Sequence, residues 1–172
     1  MGYAKKLLML IIVINVFLNA SCTKYNEAVP FFDRLYLEYI VSDLKTVFNV
    51  LSADNNKFKI VKTEVNDILG DRVIEMFVDM HGKVYESSSS NYKGKFTSIW
   101  IPVHQMEIGD TFDDGYKVLR KDKWKKWEVL VIKNPTYNEE QYFEINTGYL
   151  VGVKGSVEVN LVNTNADIPT IE

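Results

Sequence analysis

The chain is almost without cysteine, since Cys22 is the only one among its 172 residues. A single thiol excludes an intramolecular disulfide, a disulfide-rich secreted scaffold and a cysteine-based zinc site. Histidine is nearly as scarce, with only His81 and His104. Zinc needs three or four convergent ligands, and a catalytic histidine needs an orienting partner, so two isolated histidines favour neither. We therefore predict no metal site and no cofactor.

Motifs of enzymatic chemistry are missing as well. The sequence has no G-x-S-x-G nucleophile elbow, no phosphate-binding P-loop and no G-x-G-x-x-G dinucleotide fingerprint. The acidic stretch Asp110–Gly115 does not have the spacing of an EF-hand calcium loop. Glu75 with Asp79, or Glu139 with Glu140 and Glu144, could be imagined as acid/base pairs for glycoside cleavage, but carboxylates on the exposed face of a strand are usually solvated. We predict that the protein is not an enzyme.

The start of the chain has the features of an export signal. Lys5 and Lys6 precede an apolar run, Leu7–Leu18, which is shorter than the ~20 residues of a membrane-spanning helix. The run ends in Asn19-Ala20-Ser21-Cys22, which resembles the lipobox of bacterial lipoproteins, where the cysteine is diacylated. Ordinary secretion and an uncleaved anchor remain alternatives.

These features predict a lipoprotein signal peptide over residues 1–21 and lipidation of Cys22, followed by a short tether over residues 22–33. A lipidated cysteine anchors a domain to a membrane without spanning it. We therefore expect the protein in the bacterial cell envelope, on the periplasmic side or the outer surface, with the membrane as a partner through Cys22.

Charge argues against a nucleic-acid partner. The net charge is -3, and an exported chain rarely meets nucleic acid. A basic and aromatic cluster does occur between Lys117 and Trp127. Contact with lipid headgroups or a cell-wall polymer is one interpretation. The leading interpretation is that these lysines keep an exposed sheet edge from pairing with another chain.

Aromatic residues are plentiful, with 10 Tyr, 9 Phe and 3 Trp, and they favour strands. Apolar or alternating runs recur every 8–14 residues between turn-forming residues, without a long helical stripe. This pattern predicts an all-β domain over residues 34–163, a single strongly curved antiparallel meander sheet resembling a half-barrel, with a C-terminal tail over 164–172. The predicted strands are Arg34–Val41, Leu44–Leu51, Phe58–Val65, Arg72–Asp79, Lys83–Glu86, Phe96–Val103, Tyr116–Arg120, Trp127–Ile132, Gln141–Asn146, Tyr149–Val153 and Val157–Val162.

Several short motifs resemble those of exported DUF3108-like domains and the lipoprotein carriers LolA and LolB. The motifs are Trp100-Ile101-Pro102, Ile108-Gly109-Asp110, Trp127-Glu128-Val129, and Tyr142-Phe143 through Thr147-Gly148-Tyr149-Leu150-Val151. The resemblance implies a curved antiparallel half-barrel whose carrier members hold acyl chains on the concave face. It implies no catalytic residues.

Strands that are apolar on both faces predict a binding surface, because a single bent sheet cannot bury both faces against its own chain. The expected function is therefore a non-enzymatic, membrane-anchored module that binds an apolar ligand, a lipid or an acyl chain, in the concave face. The alternative is a structural or interaction lipoprotein of the cell envelope with a filled core and a protein partner. The candidate ligand-binding residues are Trp100, Trp127, Val129, Phe143, Ile145 and Leu150.

Overall fold

A computed structural model of the protein describes residues 27–53, 57–95, 97–112, 115–135 and 138–171. The predicted signal peptide and the predicted lipidation residue Cys22 lie outside these residues. The described strands run from Leu35 to Thr164, and the predicted β domain covers residues 34–163.

All the strands belong to one antiparallel sheet, which confirms the predicted all-β class. The sheet is curled but not closed into a barrel. In the described part of the chain there is no α-helix, only a short 3₁₀ helix over Val103–Gln105. The strands are β1 (Leu35–Val41), β2 (Leu44–Ala53), β3 (Lys57–Glu64), β4 (Arg72–Val78), β5 (Val84–Ser87), β6 (Thr111–Phe112), β7 (Tyr116–Trp124), β8 (Trp127–Asn134), β9 (Glu139–Glu144), β10 (Leu150–Lys154) and β11 (Val159–Thr164).

The sheet consists of two meanders that meet in its middle. The strand order is β5-β4-β3-β2-β1-β11-β10-β9-β8-β7-β6. The first meander therefore runs from the middle to one edge, and the second runs from the opposite edge back to the middle. Strand β11 then pairs with β1, the first strand of the sheet. The chain between β5 and β6, residues 88–110, links the two edges and is called the crossover below.

The crossover replaces the strand predicted over Phe96–Val103, and that prediction is wrong. Its isolated bridge to the sheet lies at the β9–β10 turn and joins Trp100 to Tyr149. The Leu150 N–H donates to the Ile99 carbonyl at 3.0 Å, and the Ile101 N–H donates to the Gly148 carbonyl at 3.0 Å. Phe96 lies outside the described residues. Ile99, Trp100, Ile101 and Val103 are buried because they pack onto a face of the sheet rather than joining its edge.

The core follows the alternation of β1, where Leu35, Leu37 and Tyr39 are buried, as a period of two requires. Strand β8 is different, since residues 129–132 are all buried. This strand is covered on both faces, as its continuous apolar run indicates. The C-terminal tail contributes to the packing, and the Ile171 N–H donates to the Lys126 carbonyl at 2.8 Å.

Candidate functional site

A cavity of about 900 Å³ lies between the inner face of the curled sheet and the crossover. Its volume falls within the range of about 300–1,000 Å³ that is typical of small-molecule sites. It is open to solvent on one side. The cavity is lined by Tyr39, Val41, Leu44, Thr46, Phe48, Lys62, Glu64, Val65, Asn66, Leu69, Gly70, Asp71, Arg72, Val73, Ser98, Ile99, Gln141, Leu150, Val153 and Val159.

One row of paired residues, apolar in four of its five positions, forms the floor across five neighbouring strands. Residues directly opposite each other in an antiparallel sheet project from the same face. The pairing places Gln141 of β9, Val153 of β10, Val159 of β11, Val41 of β1 and Leu44 of β2 side by side. This apolar row, as it is called below, crosses the junction of the two meanders.

Aromatic side chains and the crossover form the wall beside this row. Tyr39 and Phe48 meet edge to face with their ring centroids 5.7 Å apart. The Tyr39 hydroxyl donates to the Leu150 carbonyl at 2.9 Å, and Ile99 of the crossover closes the same side. Burial raises the pKa of Tyr39, so this phenol stays neutral and remains a donor.

The opposite end of the cavity is charged. The Lys62 Nζ lies 2.6 Å from the Glu64 Oε1, and the Arg72 Nη1 lies 3.5 Å from the Glu64 Oε2. Lys62 also donates to the Tyr92 hydroxyl at 3.2 Å. Burial lowers the pKa of Lys62, but the hydrogen bonds to Glu64 and Tyr92 outweigh it, so the pKa is raised overall and the lysine stays protonated.

The turn between β3 and β4 borders the mouth of the cavity. The Asn66 side-chain oxygen accepts hydrogen bonds from the Ile68 N–H at 3.0 Å and from the Leu69 N–H at 2.9 Å. This is the local bonding by which Asn stabilises turns. It holds Ile68 and Leu69 in solvent, where they are 92% and 85% exposed. Two large apolar side chains therefore stand at or next to the opening.

The six candidate ligand-binding residues do not form one site. Leu150 lies on the cavity wall. Trp100 and Phe143 are buried in the core, and the Trp100 Nε1 donates to the Thr147 carbonyl at 2.9 Å. Trp127 and Val129 are buried on β8, and the half-buried Ile145 follows β9, where its N–H donates to the Glu128 carbonyl at 3.0 Å.

The cavity residues that the sequence analysis missed come mainly from the first meander. They include Tyr39, Val41 and Leu44, which border the floor, and Lys62, which stands at the charged end. The period of two in β1 places Tyr39 and Val41 on one face with Leu35 and Leu37. It did not indicate which end of that face the crossover would leave uncovered.

Other candidate groups lie in local structural contacts. The His81 Nδ1 lies 3.3 Å from the Glu27 carbonyl oxygen, and the His104 Nε2 lies 2.8 Å from the Asn146 carbonyl oxygen. Across the described ranges, no group of three His, Cys, Asp or Glu side chains is placed to hold a metal ion. In the same ranges, no helix has the length and apolar character needed to cross a bilayer.

Lys117, Lys121 and Lys123 of the basic and aromatic cluster lie along β7, and Lys125 and Lys126 lie in the turn that follows it. Among the described residues, the outer neighbour β6 pairs with β7 at Lys117 and Tyr116. The rest of β7, including Lys121 and Lys123, therefore forms a sheet edge. Lysines at an edge oppose pairing with a second chain.

Known proteins give no further guide to the cavity. No protein-family model matches the chain, and no curated protein matches it in sequence. The shape and chemistry of the cavity therefore carry the functional conclusion.

Proposed function

We propose that this chain is an exported lipoprotein, anchored to a membrane of the cell envelope through Cys22, whose β domain binds an apolar ligand. The ligand is a lipid or an acyl chain, and the domain acts as a binding module without catalytic activity. The export signal and lipobox-like motif support the anchor, and the cavity on the inner face supports the binding.

The observation that carries this proposal is the open cavity above the apolar row. Aliphatic side chains at Val41, Val153 and Val159 offer water few hydrogen-bonding partners, so displacing water with a hydrocarbon chain is favourable. A purely structural lipoprotein would be expected to fill this space with its own side chains. The cavity therefore favours a binding module over that alternative.

The test is native mass spectrometry of the full chain, purified gently from a membrane-containing expression host. We expect a co-purifying mass in the range of a lipid or fatty acid. Val159→Trp would place an indole in the cavity, and we expect it to lower the affinity for an acyl ligand by about tenfold or more.

Val162→Trp is the matched control, because Val162 lies on the same strand, is exposed and does not border the cavity. It should keep the bound mass, and circular dichroism should show that both variants are folded. A clean unliganded mass for the unaltered protein, together with no uptake of a fluorescent acyl probe, would overturn the proposal. Equal binding by the two variants would show that the ligand lies elsewhere.

A further inference from the structure

Lys62 occupies an unusual position for a lysine, because its neighbours on the adjacent strands are apolar. It pairs directly with Phe48 on one side and Ile74 on the other, and Phe48 pairs in turn with Leu37. Those three neighbours are buried, and the Lys62 side chain is only 16% exposed. Lysine is almost never buried without a partner, so its place on the inner face needs a reason.

The ammonium group keeps one bonding position for a ligand. Of its three N–H donors, Glu64 and Tyr92 take two among the described residues, at 2.6 Å and 3.2 Å. The Phe48 and Tyr92 rings lie 5.8 Å and 5.7 Å from Nζ and favour the cationic form. Lys62 also borders the cavity, so a ligand there meets a charged donor.

The charged side chains at this end of the cavity, two cations and two carboxylates, balance in number but differ in exposure. Lys62 and Arg72 share a single carboxylate, Glu64, through its two oxygens. Asp71 also borders the cavity, but its Oδ1 accepts the Asn66 N–H at 3.2 Å and thereby holds the turn. The Lys62 side chain is 16% exposed, against 34% for Glu64 and 64% for Arg72, so Lys62 is the most deeply placed of these three charges. One anionic group placed beside it would complete its hydrogen bonding.

We infer that the ligand of this cavity is an amphiphile with an anionic head group, which pairs with Lys62 while its hydrocarbon chain lies along the apolar row. The inference rests on the proposed function and adds the class of ligand. A neutral amphiphile would accept a hydrogen bond in which only the lysine is charged, whereas an anion adds the attraction between opposite charges.

The experiment compares dodecanoate with dodecanol, each competing against a fluorescent apolar probe bound to the full-length protein. The two ligands share a chain and differ in the charge of the head group. We expect dodecanoate to bind about tenfold more tightly. In Lys62→Met, whose side chain is apolar and of similar length, this preference should disappear while the affinity for dodecanol is unchanged.

Lys59→Met is the matched control. Lys59 lies on the same strand and pairs with Glu75 at 2.5 Å, but it does not border the cavity. Its loss should leave the preference for dodecanoate intact. Glu64→Gln gives a second test, because removing the competing carboxylate should tighten dodecanoate binding, whereas a residue that only supports the fold would weaken it.

The outcomes separate the two proposals. If both ligands bind the unaltered protein with equal affinity, the inference of an anionic head group is wrong, but the proposal of an apolar binding site is not affected. A preference for dodecanoate that survives in Lys62→Met would also overturn that inference. Binding of neither ligand would overturn the proposed function itself.

Discussion

Replacing Glu144 by Ala should destabilise the protein strongly, although this glutamate is remote from any proposed chemistry. Its side chain is 1% exposed. One carboxylate oxygen accepts the backbone and side-chain N–H groups of Asn146 at 3.0 Å and 2.7 Å. The other accepts the backbone N–H and the hydroxyl of Thr147 at 2.8 Å and 2.7 Å. Glu144 therefore holds the β9–β10 turn on which the crossover rests.

The size of this loss of stability depends on which hydrogen-bond donors can bond to water once the carboxylate is removed. Asn146 is exposed, so its two N–H groups find solvent when the carboxylate is removed. The Thr147 donors are half-buried, and each hydrogen bond to a charged acceptor contributes about 1.5–3 kcal/mol. Relief of the cost of burying a carboxylate offsets part of this loss. We expect a decrease of about 3 kcal/mol in the free energy of unfolding.

Urea denaturation followed by tryptophan fluorescence measures this difference, and thermal unfolding should show a decrease in Tm of about 6–12 °C. Glu144→Gln keeps one acceptor oxygen but replaces the other with an amide NH₂, which cannot accept from the two donors that face it. This variant should therefore lose at least half as much stability as Glu144→Ala. Glu128→Ala is the control, since Glu128 is exposed on the adjacent strand and should change stability by less than about 0.5 kcal/mol. Equal effects of Glu144→Ala and Glu128→Ala would refute the structural role of the buried carboxylate.

Two further predictions concern the anchor and the buried phenols. Cys22→Ser should abolish labelling by a radioactive fatty acid and move the protein from the membrane to the soluble fraction, and persistent membrane association would contradict lipidation. Burial raises the pKa of Tyr39 and of Tyr149 above the ordinary value of about 10. Their contribution to stability is therefore complete below pH ~10 and is lost as the pH rises further. Tyr39→Phe should lower stability at neutral pH by about 1 kcal/mol, through loss of the bond to the Leu150 carbonyl, and should flatten the alkaline decline in an unfolding series. An unchanged alkaline slope would show that Tyr39 does not titrate on unfolding.

The alternation of apolar residues was sufficient to predict most strands. In β1, the buried positions Leu35, Leu37 and Tyr39 follow directly from a period of two. The same reasoning failed at Phe96–Val103, because a short apolar run has the same sequence pattern whether it joins a sheet as a strand or packs onto the face of the sheet. Pairing with distant strands decides between these outcomes, and a local pattern does not contain that information.

The site was harder to predict than the fold for a related reason. Residues such as Trp127 and Val129 were chosen because β8 is apolar on both sides, but that property reflects burial on both faces. The cavity is bordered instead by β1 to β3, by the turn after β3, by the crossover and by residues of β9 to β11. The strand pattern predicts a solvated carboxylate at Glu144, but the Asn-Thr-Gly turn that follows it supplies the hydrogen-bond donors that satisfy this buried carboxylate.

The pairing of β1 with β11 also bears on how the protein reaches its folded state. Each meander grows from strands that are neighbours in sequence, whereas the contact between Tyr36 and Asn165 closes a separation of 129 residues. Closing so long a loop carries a large entropic cost and slows folding. The apolar row crosses this junction between Val41 and Val159, so the floor of the cavity is complete only once the last strand has paired. A chain that has not finished folding therefore has no complete floor on which to hold a ligand.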